Sequence, residues 1–373
     1  IQKKLWFMLD DAVINRSSPF RIPVFICANQ NDIDGRIVVL RKSDKENNVL
    51  QFHTDLRSPK VDILKKNKNA SLVFYDKEEK IQLRVKAECE INNQNLIVNF
   101  NNIFSTYIPS SEISTINKSS GKIYISDHFH FLLEQSKRVY DLTDGYFDPT
   151  IGPLVNLWGF GPDKLINNPK NSEVNNLLNL VGLNKIDLGD NFLIKKKGTY
   201  IDFSSIAKGY AVDILHNYLI EKKIFNFFIE IGGEVRANGK NIKNVDWIVG
   251  IESPFKLNSN TPIATASLEG LSIATSGNYR NFYKIGDSLI FHTIDPRTGY
   301  PSETNMLSAS VFSTSCFLAD AFATSFMVMG FEKSKKLSSS IDDIDVLLIY
   351  YDIDGKIKRY LSDGIKAKIN LIE

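Results

Sequence analysis

The sequence predicts an α+β protein, with a small and largely antiparallel β region over residues 1–89 and a larger mixed domain over 95–373. Three observations carry this reading. Short β-branched or apolar runs, separated by Asn-, Asp-, Gly- and Lys-rich turns, fill the first region. Helical and strand-like apolar patterns alternate through the second. The length of 373 residues is too great for one ordinary domain and comfortable for two.

In the first region, residues 23–28 (PVFICA), 37–40, 50–53, 70–75 and 81–87 read as strands, which together spell a small barrel. Residues 58–67 (SPKVDILKKN) read as one short helix, with Ser58 as N-cap and Pro59 at the first helical position. The second region contains an amphipathic helix over 125–142 with an Asp at its start. Residues 199–203 read as a strand that runs straight into a helix capped at Ser204 or Ser205. That helix carries Ile206, Tyr210, Ile214 and Tyr218 close to helical period. A buried strand over 227–231 ends in Gly232-Gly233. Residues 263–267, 272–275 and 289–293 are further strands, and 345–351 with 356–361 flank 352–355 as a hairpin. Residues 315–330 (SCFLADAFATSFMVMG) form an apolar helix, and the charges after Phe331 read as a solvated helix face.

Composition narrows the function classes. With 43% hydrophobic and 24% charged residues the chain is globular, and a formal net charge of +2 gives no nucleic-acid footprint. Cys27, Cys89 and Cys316 lie too far apart to suggest a metal-spaced cluster or a disulfide framework. No apolar run is long enough to cross a bilayer, and no signal peptide is visible to settle the compartment.

Polar clusters that interrupt the apolar pattern mark the chemistry. On the helix over 315–330, Asp320 and Thr324 are four residues apart and share a face. A carboxylate beside a hydroxyl suits a hard cation such as Mg²⁺, while the bland alternative is a buried Asp that caps nearby backbone. Residues 143–161 form a long Gly- and Pro-containing loop, either a binding loop or an Ω-loop packed by Leu154, Trp158 and Phe160. In residues 202–210 (DFSSIAKGY), free N–H groups at a helix start and Lys208 favour an anion; the alternative is plain capping by Ser204. The paired glycines of EIGGE (230–234) let another backbone or a ligand approach. ATSGNY (274–279) is a strand end with hydroxyls, or an ordinary turn. In FHTIDPRTGYP (291–301), His292 precedes a turn with an acid, a base and a hydroxyl close behind.

These clusters, in this order, resemble the blocks of the ApbE family, the FAD:protein FMN transferases, from about residue 95 onward. The blocks are Ser105-Thr106-Tyr107 with Ser111-Glu112-Ile113-Ser114, DGYFDPTIGPLVNLWGFG, DFSSIAKGYAVD, EIGGEVRANG, TSGNYRNFY, HTIDPRTGYP and ADAFATSFMVMG. The resemblance implies cleavage of FAD at its pyrophosphate, release of AMP and attachment of FMN to a Thr or Ser of an acceptor protein, with Mg²⁺. It implies Asp320, Thr324 and the carbonyl of Ala207 as metal ligands. It also implies flavin contacts from Tyr146, Phe147, Asp148, Ser204, Ser205, Lys208, Tyr210, Ser276, Gly277 and Tyr279. His292 would act as base, with Asp295 positioning the site.

Residues 1–89 resemble the first half of the pyridoxamine 5′-phosphate oxidase-like FMN-binding split barrels, through RIVVLRK, LQFHTDLRSPKVDILKKNKNASLVFYD and IQLRVKAE. That likeness implies FMN contacts at Arg36, Thr54, Lys60 and Gln82, with Arg57 taking the place of an arginine where Pro59 stands. The barrel resemblance stops near Glu88, and the transferase resemblance starts near Leu96 without the family's opening Met-Gly-Thr strand. A half barrel leaves an open sheet edge, so the first region is expected to be less well ordered than the second, or to complete itself as a homodimer. Two other activities stay open: FAD binding or hydrolysis to FMN and AMP without transfer, and an FMN-dependent oxidase through the first region.

Overall fold

The computed structural model describes the chain apart from residues 1, 16, 30–32, 53, 55–57, 92–95, 162–167, 255–261, 278–281, 286–287 and 373. Tyr279 and Arg57 therefore lie outside the described residues. The chain divides into two compact units, Ile1–Gln94 and Asn95–Glu373.

The first unit is an antiparallel sheet of Ile33–Ile37, Val24–Ala28, Asn69–Asp76 and Ile81–Glu88, in that spatial order, with a separate hairpin of Leu40–Asp44 and Val49–Phe52. The short helix forms as Pro59–Lys66, with Ser58 at its N-cap. The strand-like reading of this region misses the helix Gln2–Ile14. Its Leu9 and Ala12 join Phe20, Phe25, Leu40, Leu72 and Phe74 in the unit's own core.

In the second unit, a six-stranded antiparallel sheet runs Phe227–Ile231, Glu234–Asn238, Ser272–Gly277, Met306–Ser313, Ile344–Tyr351, Ile357–Leu361. Residues alternate between the faces of a strand, so a sheet covered on both sides needs apolar residues at nearly every position. Ile344–Tyr351 shows the result. Ile344, Val346 and Leu348 enter a core shared with the helices, whereas Leu347 and Ile349 enter a second core. That second core is closed by a three-stranded sheet of Trp247–Ile251, Ala264–Leu268 and Ile369–Leu371. The anticipated hairpin at the end of the chain forms as predicted, with Tyr351 opposite Ile357.

On the helical side lie Asp127–Leu142, Ala207–Glu221 and Cys316–Met329. The first is capped by the Ser126 hydroxyl, which accepts from the Phe129 N–H while both Ser126 polar groups donate to Glu112. Cys316–Met329 is apolar on nearly all sides because it is wedged between the sheet and the Ala207–Glu221 helix.

Three expectations need correction. Residues 199–203 form no strand. The backbone N–H and C=O of Ile201 are both bonded to the side chain of Asn117, each at 2.8 Å, and Asp202 N–H donates to Pro149 O at 2.7 Å, so these groups have no sheet partner to seek. Neither Ser204 nor Ser205 caps the following helix. Asp202 Oδ1 accepts the Ser204 N–H at 2.9 Å, and Ile206 holds the N-cap position. The long loop over 143–161 also contains a short helix, Gly152–Leu157.

One buried ion pair locks the helices to the sheet. Asp213, on Ala207–Glu221, pairs with Arg236 on Glu234–Asn238 and accepts the Phe317 N–H at 3.0 Å at the start of Cys316–Met329. Three elements thus meet on one carboxylate. Asp213→Ala should destabilise the fold by about 3–5 kcal/mol in a denaturant titration, because Arg236 is left buried and uncompensated; adding Arg236→Met should recover much of that loss.

Candidate active site

The helix over 316–329 brings Asp320 and Thr324 to one face as expected, and the side chains of three other elements converge on them. Asp320 is buried, at 3% exposure. Its Oδ2 accepts the Gly209 backbone N–H at 3.1 Å, and its Oδ1 lies 3.4 Å from the Lys208 Nζ. The helix start over 207–209 does attract an anion, and that anion is the chain's own carboxylate. One turn along, Thr324 Oγ1 is 3.4 Å from the Ser276 hydroxyl at the end of Ser272–Gly277. Gly277 ends that strand beside it.

Gly209 makes this meeting possible. A Cβ there would lie 2.3 Å from the Cys316 carbonyl oxygen, so only glycine lets the two helix starts come so close.

The same cluster contains a residue that no site prediction named. Glu234 follows the tight Gly232-Gly233 turn, where both glycines have positive φ of 62° and 100°. Its Oε1 accepts from Lys208 Nζ at 2.7 Å. Its Oε2 is buried with no hydrogen-bond partner. Burial and the nearby Asp320 charge push the Glu234 carboxyl up to about 7, against the pull of Lys208. Burial also raises the Asp320 carboxyl. Desolvation opposes charge on Lys208, but the two carboxylates outweigh it and raise its pKa. The EIGGE segment was visible as a motif; its partner Lys208 is distant in sequence, so the pairing was not.

Among the described residues no three His, Cys, Asp or Glu gather as a metal cluster. A cation here would draw on Asp320, the Thr324 hydroxyl and a backbone carbonyl such as that of Ala207. These are hard oxygen donors of the kind Mg²⁺ takes, and a positively charged ammonium already sits among them.

A second cluster gathers at the loops. The guanidinium of Arg297 stacks on the Tyr146 ring, 3.4 Å from its centroid, and Lys333 donates to the Tyr146 hydroxyl. Arg297 is held by a two-point pair with Asp295, at 3.0 and 2.7 Å. Trp158 Nε1 donates to Gly299 O at 2.8 Å, tying the long loop to the same turn. His292 packs edge-on to Phe160.

Several predicted contacts have other employment. Phe147 is in the core. Both Asp148 oxygens are taken inside the loop region, Oδ1 by the Thr150 N–H and hydroxyl and Oδ2 by the Leu183 N–H at 3.2 Å. Tyr210 falls on the helix face opposite Lys208, since two residues turn a helix by about 200°. Its ring packs among Phe100, Phe104, Phe131 and Phe317, and its hydroxyl meets His128 Nδ1 at 2.7 Å. Ser204 and Ser205 remain on the turn before the helix, Ser204 exposed and Ser205 half-buried.

In the first unit, Arg36 and the buried Lys60 converge on the Ser58 hydroxyl, at 3.2 and 3.1 Å, at the start of the Pro59–Lys66 helix. Thr54 and Gln82 are exposed.

The model of the ApbE family matches residues 70–348. The chain belongs to the ApbE family. A second model, the FMN-binding domain of pyridoxamine 5′-phosphate oxidase, matches residues 13–93 and overlaps the first match over 70–93. A relative from Vibrio cholerae named FAD:protein FMN transferase is 36% identical over 275 residues, covering 73% of this chain and 81% of the relative. One of the same name from Haemophilus influenzae is 35% identical over 263 residues, covering 67% and 75%. Among solved structures, the flavin transferase ApbE from Vibrio cholerae is 32% identical with a TM-score of 0.66, over 80% of this chain and 96% of that one. The apo flavinyl transferase ApbE of Pseudomonas stutzeri is 25% identical with a TM-score of 0.66, over 80% and 92%.

In this ApbE family member, the close helix approach is directly testable. Gly209→Ala should cost about 1–3 kcal/mol by thermal melting through overpacking. By shifting Asp320 it should also lower flavin-transfer turnover on the order of 10²-fold. A variant as stable and active as the parent would show that the approach is not needed.

Proposed function

We propose that the chain is a Mg²⁺-dependent FAD:protein FMN transferase, which cleaves FAD, releases AMP and attaches FMN to a Thr or Ser hydroxyl of an acceptor protein. The observation that carries the reading is Asp320: a buried carboxylate anchored on the Gly209 N–H, one turn from a hydroxyl, in a chain of the ApbE family. Transfer of a phosphoryl-type group depends on positioning and charge neutralisation more than on covalent work by the protein. Mg²⁺, when bound, would supply charge neutralisation at the FAD pyrophosphate.

Asp320, Thr324 and the Ala207 carbonyl would hold that ion, and Ser276 and Gly277 would line the same cleft. Tyr146, stacked under Arg297, would meet the flavin from the loop side. His292 would take the proton from the acceptor hydroxyl, a role open to a neutral imidazole nitrogen. Asp295 would act by fixing Arg297 against Tyr146. In this proposal residues 95–373 form the transferase domain. Residues 1–89 form a partial split barrel in which Arg36, Ser58 and Lys60 offer an FMN phosphate two cations and a hydroxyl.

Incubation with FAD, Mg²⁺ and an acceptor peptide bearing an Asp-Gly-x-Thr site tests the reading. Covalently fluorescent peptide and AMP are expected. AMP with free FMN but no labelled peptide would favour FAD pyrophosphatase activity, and neither product would favour an FMN oxidase. Asp320→Ala should abolish Mg²⁺-dependent turnover in a folded protein. His292→Ala should lower transfer by about 10²–10⁴-fold while FAD binding is retained; equal turnover would remove His292 from the mechanism.

A further inference from the structure

Lys208 occupies an unusual position for a surface-reaching side chain. Its ammonium lies 2.7 Å from Glu234 Oε1 and 3.4 Å from Asp320 Oδ1. The two carboxylate side chains are 6% and 4% exposed, while that of Lys208 is 42% exposed. The acids are fixed, one on a buried helix and one at a strand start behind a two-glycine turn. The lysine reaches them on a flexible four-carbon stem from the solvent side.

The ion pair leaves the site incomplete. Glu234 Oε2 is buried without a hydrogen-bond partner, a costly state for a carboxylate oxygen and one that calls for a ligand. With both acids ionised, two carboxylates against one ammonium leave a formal charge of −1, which a divalent cation in the lysine's place would bring to zero. The stem has a path past Gly232, where even a Cβ would sit 3.2 Å from the Lys208 Cδ.

We propose that Lys208 is a built-in counter-ion that holds the place of the divalent cation, and that Glu234 is a further carboxylate of that site. On entry of the cation, Lys208 leaves Asp320 and Glu234, and its ammonium turns to the open side of the site, where it can meet an anionic substrate group. This rests on the transferase reading above for the presence of a cation, and adds to it an exchange between cation and lysine.

Binding of Mn²⁺, followed by the electron paramagnetic resonance signal of the free ion, tests this without turnover. Lys208→Met should bind Mn²⁺ about tenfold tighter than the parent because the internal competitor is gone, and Glu234→Gln about tenfold weaker. In the unaltered protein, acetylation of Lys208 by an amine-selective reagent, read by peptide mass spectrometry, should rise severalfold on adding Mn²⁺ while that of Lys336 stays constant. Unchanged or weaker binding by Lys208→Met, unchanged binding by Glu234→Gln, or Mn²⁺-independent labelling of Lys208 would each overturn the exchange. A parent protein that binds no Mn²⁺ would overturn the cation reading and the exchange with it.

Discussion

Everything at the candidate site depends on how closely the start of Ala207–Glu221 approaches the start of Cys316–Met329. At Gly209 no side chain separates the helices, and the Cys316 carbonyl occupies the space a Cβ would need. This contact delivers the Gly209 N–H to Asp320, brings Lys208 to the same carboxylate and lets Asp213 take the Phe317 N–H. Each bond links the same two helices, so loosening one puts strain on the others. The sheet contributes through Arg236 and Glu234, neighbours on one strand that grip Asp213 and Lys208 respectively.

Burial gives this arrangement its electrostatic character. Desolvation raises both carboxyls here, and the Asp320 charge raises Glu234 further, while Lys208 pulls both down and the Gly209 N–H pulls down Asp320. A buried ion pair of this sort is poor evidence for stability, since well-packed apolar residues would serve as well or better.

Much of this was legible in the chain. The Asp320–Thr324 spacing, the helix over 127–142 and the hairpin near the C-terminus follow from periodicities that local sequence carries in full. Much of the rest depends on partners distant in sequence. Residues 199–203 look like a strand, but Asn117, far back in the chain, takes the bonds of Ile201. Tyr210 belongs to a recognisable block, yet the helix turns it into an aromatic cluster away from Lys208. Glu234 sat in a visible glycine motif whose meaning depended on a lysine on another element. The helix Gln2–Ile14 precedes the first strand-like run at 23–28 and falls outside that pattern.

The bond from the Trp158 indole to the Gly299 carbonyl makes two loops into one body. The turn holding Asp295 and Arg297 is thereby tied to the 143–161 segment at two points, by this bond and by Tyr146 under the Arg297 guanidinium. An indole at such a joint is a natural optical reporter. The chain has three tryptophans, Trp6, Trp158 and Trp247, and a protein in which Trp6 and Trp247 are replaced by phenylalanine would emit from that joint alone. Its fluorescence would follow the loops directly as substrate arrives and product departs.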